Sequence, residues 1–96
     1  MRQIKLMADY DCFPLWEESP GTVGNIDPSD LHISEGLRRR LIEWSEEYDA
    51  TLNQDDPIAS GFESRSDEKM FSLRGQKLRK ELEEELGPGY VVTYQA

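Results

Sequence analysis

The chain has 96 residues, of which 36% are hydrophobic, with 20 acidic side chains against 11 basic ones and a formal charge of −9. A chain of this size buries somewhat over ~60% of its unfolded surface, enough for one core and no second domain. Such acidity disfavours phosphate backbones and anionic membranes as partners; the natural complement is a cationic protein surface, approached by electrostatic steering and weakened by salt.

In chain order, Gln3 to Ala8 alternate in part, with Ile4, Leu6 and Ala8 on one face, and predict a first strand, after which Asp9, Tyr10 and Asp11 mark its end. Phe13–Glu18 predicts a short second strand that Pro14 confines to a sheet edge or to the strand's start. Ser19-Pro20-Gly21 is a turn, and Thr22–Ile26 predicts a third strand in a hairpin with Leu15–Glu18. Asp27-Pro28-Ser29-Asp30 is a further turn, opening a single helical turn through Leu31.

Ser34 is a good N-cap, with Glu35 behind it where the helix dipole favours an anion. Leu37, Leu41, Trp44, Tyr48 and Leu52 then recur at spacings of four, three, four and four, predicting a helix with one buried stripe. Arg38, Arg39 and Arg40 come early on it, and Glu43, Glu46, Glu47 and Asp49 late. This order opposes the macrodipole, which hints that these charges serve something besides helix stability.

The helix runs into Tyr48–Phe62, which carries Asp49, Asp55 and Asp56 with no basic residue. Asn53, Asp55, Asp56, Pro57, Ser60 and Gly61 break the helical pattern, while Leu52, Ile58 and Phe62 are candidate anchors. An acidic loop with its own anchors suits the presentation of a surface. A second helix begins near Ser64 or Ser66, with Met70, Phe71, Leu78, Leu82 and Leu86 on its apolar side. Gly75 between them costs about 1 kcal/mol against alanine, which close approach to the first helix or the sheet would offset. Leu86-Gly87-Pro88 ends the helix, and Tyr90–Tyr94 is the clearest strand. The fold class expected is α+β: a small sheet of three to four short strands, both terminal strands included, with two long helices on one face. The long crossover permits the first and last strands to lie parallel.

Reactive chemistry is sparse. His32 is the only histidine and Cys12 the only cysteine, so no internal disulfide is possible and no spacing suggests a dyad. Asp9-Tyr10-Asp11 lacks the ligand run and glycine of a calcium loop, and Gly21 with Gly24 lacks phosphate-loop spacing and its lysine. No enzyme, cofactor or metal is expected. With neither a signal-peptide core nor an apolar run long enough for a membrane span, the expected location is cytoplasmic. Trp44 is assigned to the core, whereas Trp16 fits either a core position or an interface anchor.

The motifs L-M-A-D-Y-D-C-F-P-L-W, G-N-I-D-P, Y-D-A-T-L-N-Q-D-D-P-I-A-S-G-F and E-L-G-P-G-Y resemble a family of small acidic bacterial proteins across nearly the whole chain. By type, the protein also resembles immunity proteins of contact-dependent growth inhibition. That second resemblance implies binding to a toxin's C-terminal domain, often a nuclease, and blockage of its active site. Independently of it, an acidic protein can cover the cationic surface a nuclease needs. The candidate partner-binding residues are Asp9, Tyr10, Asp11, Trp16, Glu17, Glu18, Asp49, Asp55 and Asp56. Two other readings remain open on the residues: an adaptor or regulatory module using the same loops, and a small metal-dependent enzyme.

Overall fold

A computed structural model describes residues 2–21, 24–51, 61–62 and 64–95. Four strands, β1 (Arg2–Leu6), β2 (Leu15–Glu17), β3 (Gly24–Ile26) and β4 (Tyr90–Tyr94), form one sheet in the order β3-β2-β1-β4. The first three run antiparallel to their neighbours, and β4 lies parallel to β1, with Arg2 opposite Tyr90 and Leu6 opposite Tyr94. The fold is α+β, as the pattern predicts. One detail differs. β2 is interior, so Pro14 stands just before the strand, where its missing N–H costs no ladder bond.

The alternation of side chains sorts the sheet into two faces. Ile4, Leu6, Leu15, Ile26 and Val92 point to the helices and are buried, while Gln3, Lys5, Trp16, Asn25 and Thr93 occupy the other face by register. After a 3-10 turn at Pro28–Asp30, helix α1 (Glu35–Asp49) contributes Leu37, Leu41 and Trp44 to the core, and α2 (Arg65–Leu86) contributes Phe71, Leu78 and Leu82. Leu52 of the expected stripe lies outside the described residues.

The Ser34 cap falls where the sequence puts it, and of the two starts open for the second helix, Ser64 or Ser66, the structure takes Ser64. Ser34 Oγ accepts from the Leu37 N–H at 3.2 Å, and the Glu85 carboxylate accepts from both the amide and the hydroxyl of Ser34, tying the start of α1 to the end of α2. Ser64 caps α2 through the Asp67 N–H, and Gly87 closes it at φ 88°, a backbone that side chains avoid.

One expectation is corrected. Met70, placed on the apolar side of α2, is 56% exposed, as is much of Leu73. At ~100° per residue Met70 lies well round from the Phe71–Leu78–Leu82 stripe, so adjacency to Phe71 in sequence carried no information about its face. The reversed charge order of α1 is also explained. The helices run antiparallel, so early Arg40 meets Glu81 at 2.6 Å and late Glu47 pairs with Arg74. These exposed pairs contribute little each, but they set the register of the two helices.

Candidate acidic interface

The loop after β1 turns back through Asp9–Cys12 and rests on the C-terminal half of α1. Asp11 adopts a left-handed conformation at φ 58°, which aspartate tolerates better than most residues. Its amide donates to Asp49 Oδ1 at 3.0 Å, and the Tyr10 amide donates to Asp9 Oδ1. Below them Ser45 Oγ donates to the Cys12 carbonyl at 3.1 Å, anchoring the loop to the helix. Three of the predicted carboxylates, Asp9, Asp11 and Asp49, therefore share one end of the molecule, with Glu46 alongside Asp11 and Asp49 around a shallow hollow. None of these four forms an ion pair among the described residues. Their field is felt locally: burial first, then the charges of Asp9, Asp11 and Asp49, push the Cys12 thiol up.

Tyr10 is brought to the same end, but as part of an aromatic cluster. Its ring lies 4.7 Å from that of Tyr48, its hydroxyl is 3.1 Å from Thr51 Oγ1, and Tyr48 in turn meets Phe62 and Phe71. The spacing pattern shows Tyr48 on the stripe and Phe62 as an anchor; the pairing of Tyr10 with them comes from the loop's reversal, for which the sequence carries only the turn residues.

The remaining predicted residues are not brought together with these. Because β2 runs antiparallel to β1, Glu17 and Glu18 sit at the opposite end of the sheet from Asp9 and Asp11. Glu17 is also engaged: Arg2 Nε donates to it at 2.7 Å and the Ser19 hydroxyl at 2.8 Å. Glu18 reaches Thr93 on the helix-free face, which Trp16 shares, half-buried and donating its indole N–H to the Met7 carbonyl at 3.0 Å. Asp55 and Asp56 lie outside the described residues.

Glu17 has a consequence for acid stability. Burial by itself would raise its carboxyl pKa; the hydrogen bonds from Ser19 and Arg2 and the guanidinium charge outweigh burial and hold it below the ordinary value. The folded state thus binds this proton less tightly than the unfolded one. The stabilisation is complete above the unfolded carboxylate range and is lost as pH falls through the lower folded value. Urea unfolding between about pH 3 and pH 7 should show a shallower acid-side fall for Glu17→Gln than for the parent chain, and parallel curves would mean that Glu17 contributes none of it.

Among the described residues there is no cluster of three or more metal-ligating side chains, and no helix is long and apolar enough to cross a membrane. The fold thus offers a small acidic α+β domain with a set of carboxylates that have no cationic partner among the described residues. The chain matches the family model of Serratia CdiI immunity protein-like proteins over residues 2–96, and it belongs to that family. A search of curated proteins gives no match. Membership of this family supports a role in immunity within contact-dependent growth inhibition and implies a cognate toxin as partner.

Proposed function

We propose that the acidic end formed by Asp9, Asp11 and Asp49, with Glu46 beside them, binds the basic surface of the cognate toxin domain and covers its active site, and that this domain is a nuclease. The observation that carries the reading is the free state of these carboxylates. Asp49 spends one oxygen on the Asp11 amide, and no cation among the described residues neutralises either group. A nuclease must present Lys and Arg to phosphate, and exposed carboxylates on a rigid loop compete for the same groups. Glu17, committed to Arg2, has no part in this surface, and Glu18 and Trp16 lie on another.

The test is binding of the cognate toxin domain, by calorimetry, to the parent chain and to Asp9→Asn/Asp11→Asn/Asp49→Asn. Asparagine keeps the Oδ1 acceptor that holds the loop, so charge is removed with little change of shape. Affinity should fall by about 10- to 1,000-fold, and the parent complex should weaken steeply with salt. Unchanged affinity in the triple variant would sink the charge-based mechanism, and inhibition of a toxin without nuclease activity would sink the substrate assignment.

A further inference from the structure

Beside the acidic end, at the carboxyl ends of the parallel strands β1 and β4, lies a cleft of about 630 Å³. Its walls are aromatic. Tyr10, Tyr48 and Phe62 are half-buried and so reachable from solvent, and Phe71 forms the floor at 5% exposure. The rings are tilted against one another rather than stacked flat, with Phe62 5.0 Å from Phe71 and edge-on to Tyr48. Two carboxylates, Asp9 and Glu68, line it, and no cation among its described lining residues balances them. Burial foremost, then Tyr10 and Asp9, raises the Tyr48 hydroxyl pKa.

Aromatic faces with carboxylates beside them suit a flat cation. A guanidinium stacks on rings while donating to carboxylate oxygens, which an ammonium does less well and an apolar side chain not at all. We infer that this cleft receives an arginine side chain of the toxin domain, an anchor seated next to the carboxylates that cover the rest of the basic surface. The inference rests on the proposed binding reading and gives it a specific contact. Glu68 and Phe62 belong to the cleft alone, so cleft and acidic end can be perturbed separately.

The experiment titrates the full chain with N-acetyl-L-arginine methylamide and, in parallel, with N-acetyl-L-norleucine methylamide, following the ring resonances of Tyr48, Phe62 and Phe71 by NMR. Saturable shifts with the arginine probe, at least about fivefold weaker with norleucine, are expected, and Glu68→Gln should weaken the arginine probe by about threefold or more. Equal responses to both probes, or none at these rings, would overturn the assignment. With the toxin domain, Glu68→Gln and Phe62→Leu should each lower affinity by about 3- to 30-fold. If both variants bind the toxin as the parent does while the Asp9/Asp11/Asp49 variant does not, the cleft assignment falls and the acidic end stands. If the parent chain does not bind the toxin domain, the acidic-end reading falls, and the probe titration still decides whether the cleft takes a guanidinium.

Discussion

Gly75→Ala is expected to melt roughly 5–15 °C below the parent chain, although alanine is the better helix former by about 1 kcal/mol. The reason is space. A Cβ at this position would lie 2.6 Å from Tyr94 Cε2 and 2.7 Å from Trp44 Cζ2, distances no carbon pair tolerates. Tyr94 can swing outward at the loss of its Ser72 contact, but Trp44 is fixed by its bond to the Phe71 carbonyl and by its stack on the Phe71 ring. Overpacking of this kind costs about 1–3 kcal/mol, more than the propensity gain returns. Gly75→Leu should not fold cooperatively. Thermal denaturation followed by circular dichroism decides the matter: an alanine variant as stable as the parent would mean that α2 does not approach α1 and β4 this closely.

Trp44→Ala should be the most damaging truncation in the chain, at about 3–5 kcal/mol, against a total stability of order 5–15 kcal/mol for a domain of this size. The indole is 3% exposed, stacks on Phe71 at 4.4 Å and 4°, and donates to the Phe71 carbonyl at 3.0 Å. The geometry adds a sharper expectation. With the indole gone, the Gly75 site loses one of its two obstructions, so Gly75→Ala should cost much less in the Trp44→Ala background. A coupling of about 1 kcal/mol or more in the double-mutant cycle is expected, measured by urea unfolding; strictly additive losses would place the two residues out of contact.

The helices, their caps and the terminal strands were legible because each rests on local signals: the Leu37–Leu41–Trp44–Tyr48 spacing, the serines at 34 and 64, the Gly87-Pro88 stop. The role of Gly75 was legible as well, since a costly residue within a strong helix implies a neighbour. The acidic site was legible only in part. Asp9, Asp11 and Asp49 come together because the loop after β1 folds back on α1, a contact between segments far apart in sequence. Glu17 and Glu18 look equivalent to them in composition, yet the antiparallel turn carries them to the other end of the sheet. What a carboxylate faces depends on register and strand direction: Glu17 stands opposite Ile4, and its pairing with Arg2 is a diagonal contact between β2 and β1 that only the register makes.

The parallel pairing of β1 with β4 also dictates an order of events. Ile4 and Leu6 are made before Val92 and Tyr94 and have no neighbour on one side until those residues follow. Closing so long a loop is entropically slow, so the sheet completes late, after both helices are available. A newly made chain of this fold therefore lacks one neighbour of β1 until β4 docks, and whatever surface it presents at the carboxyl ends of these two strands is complete only then.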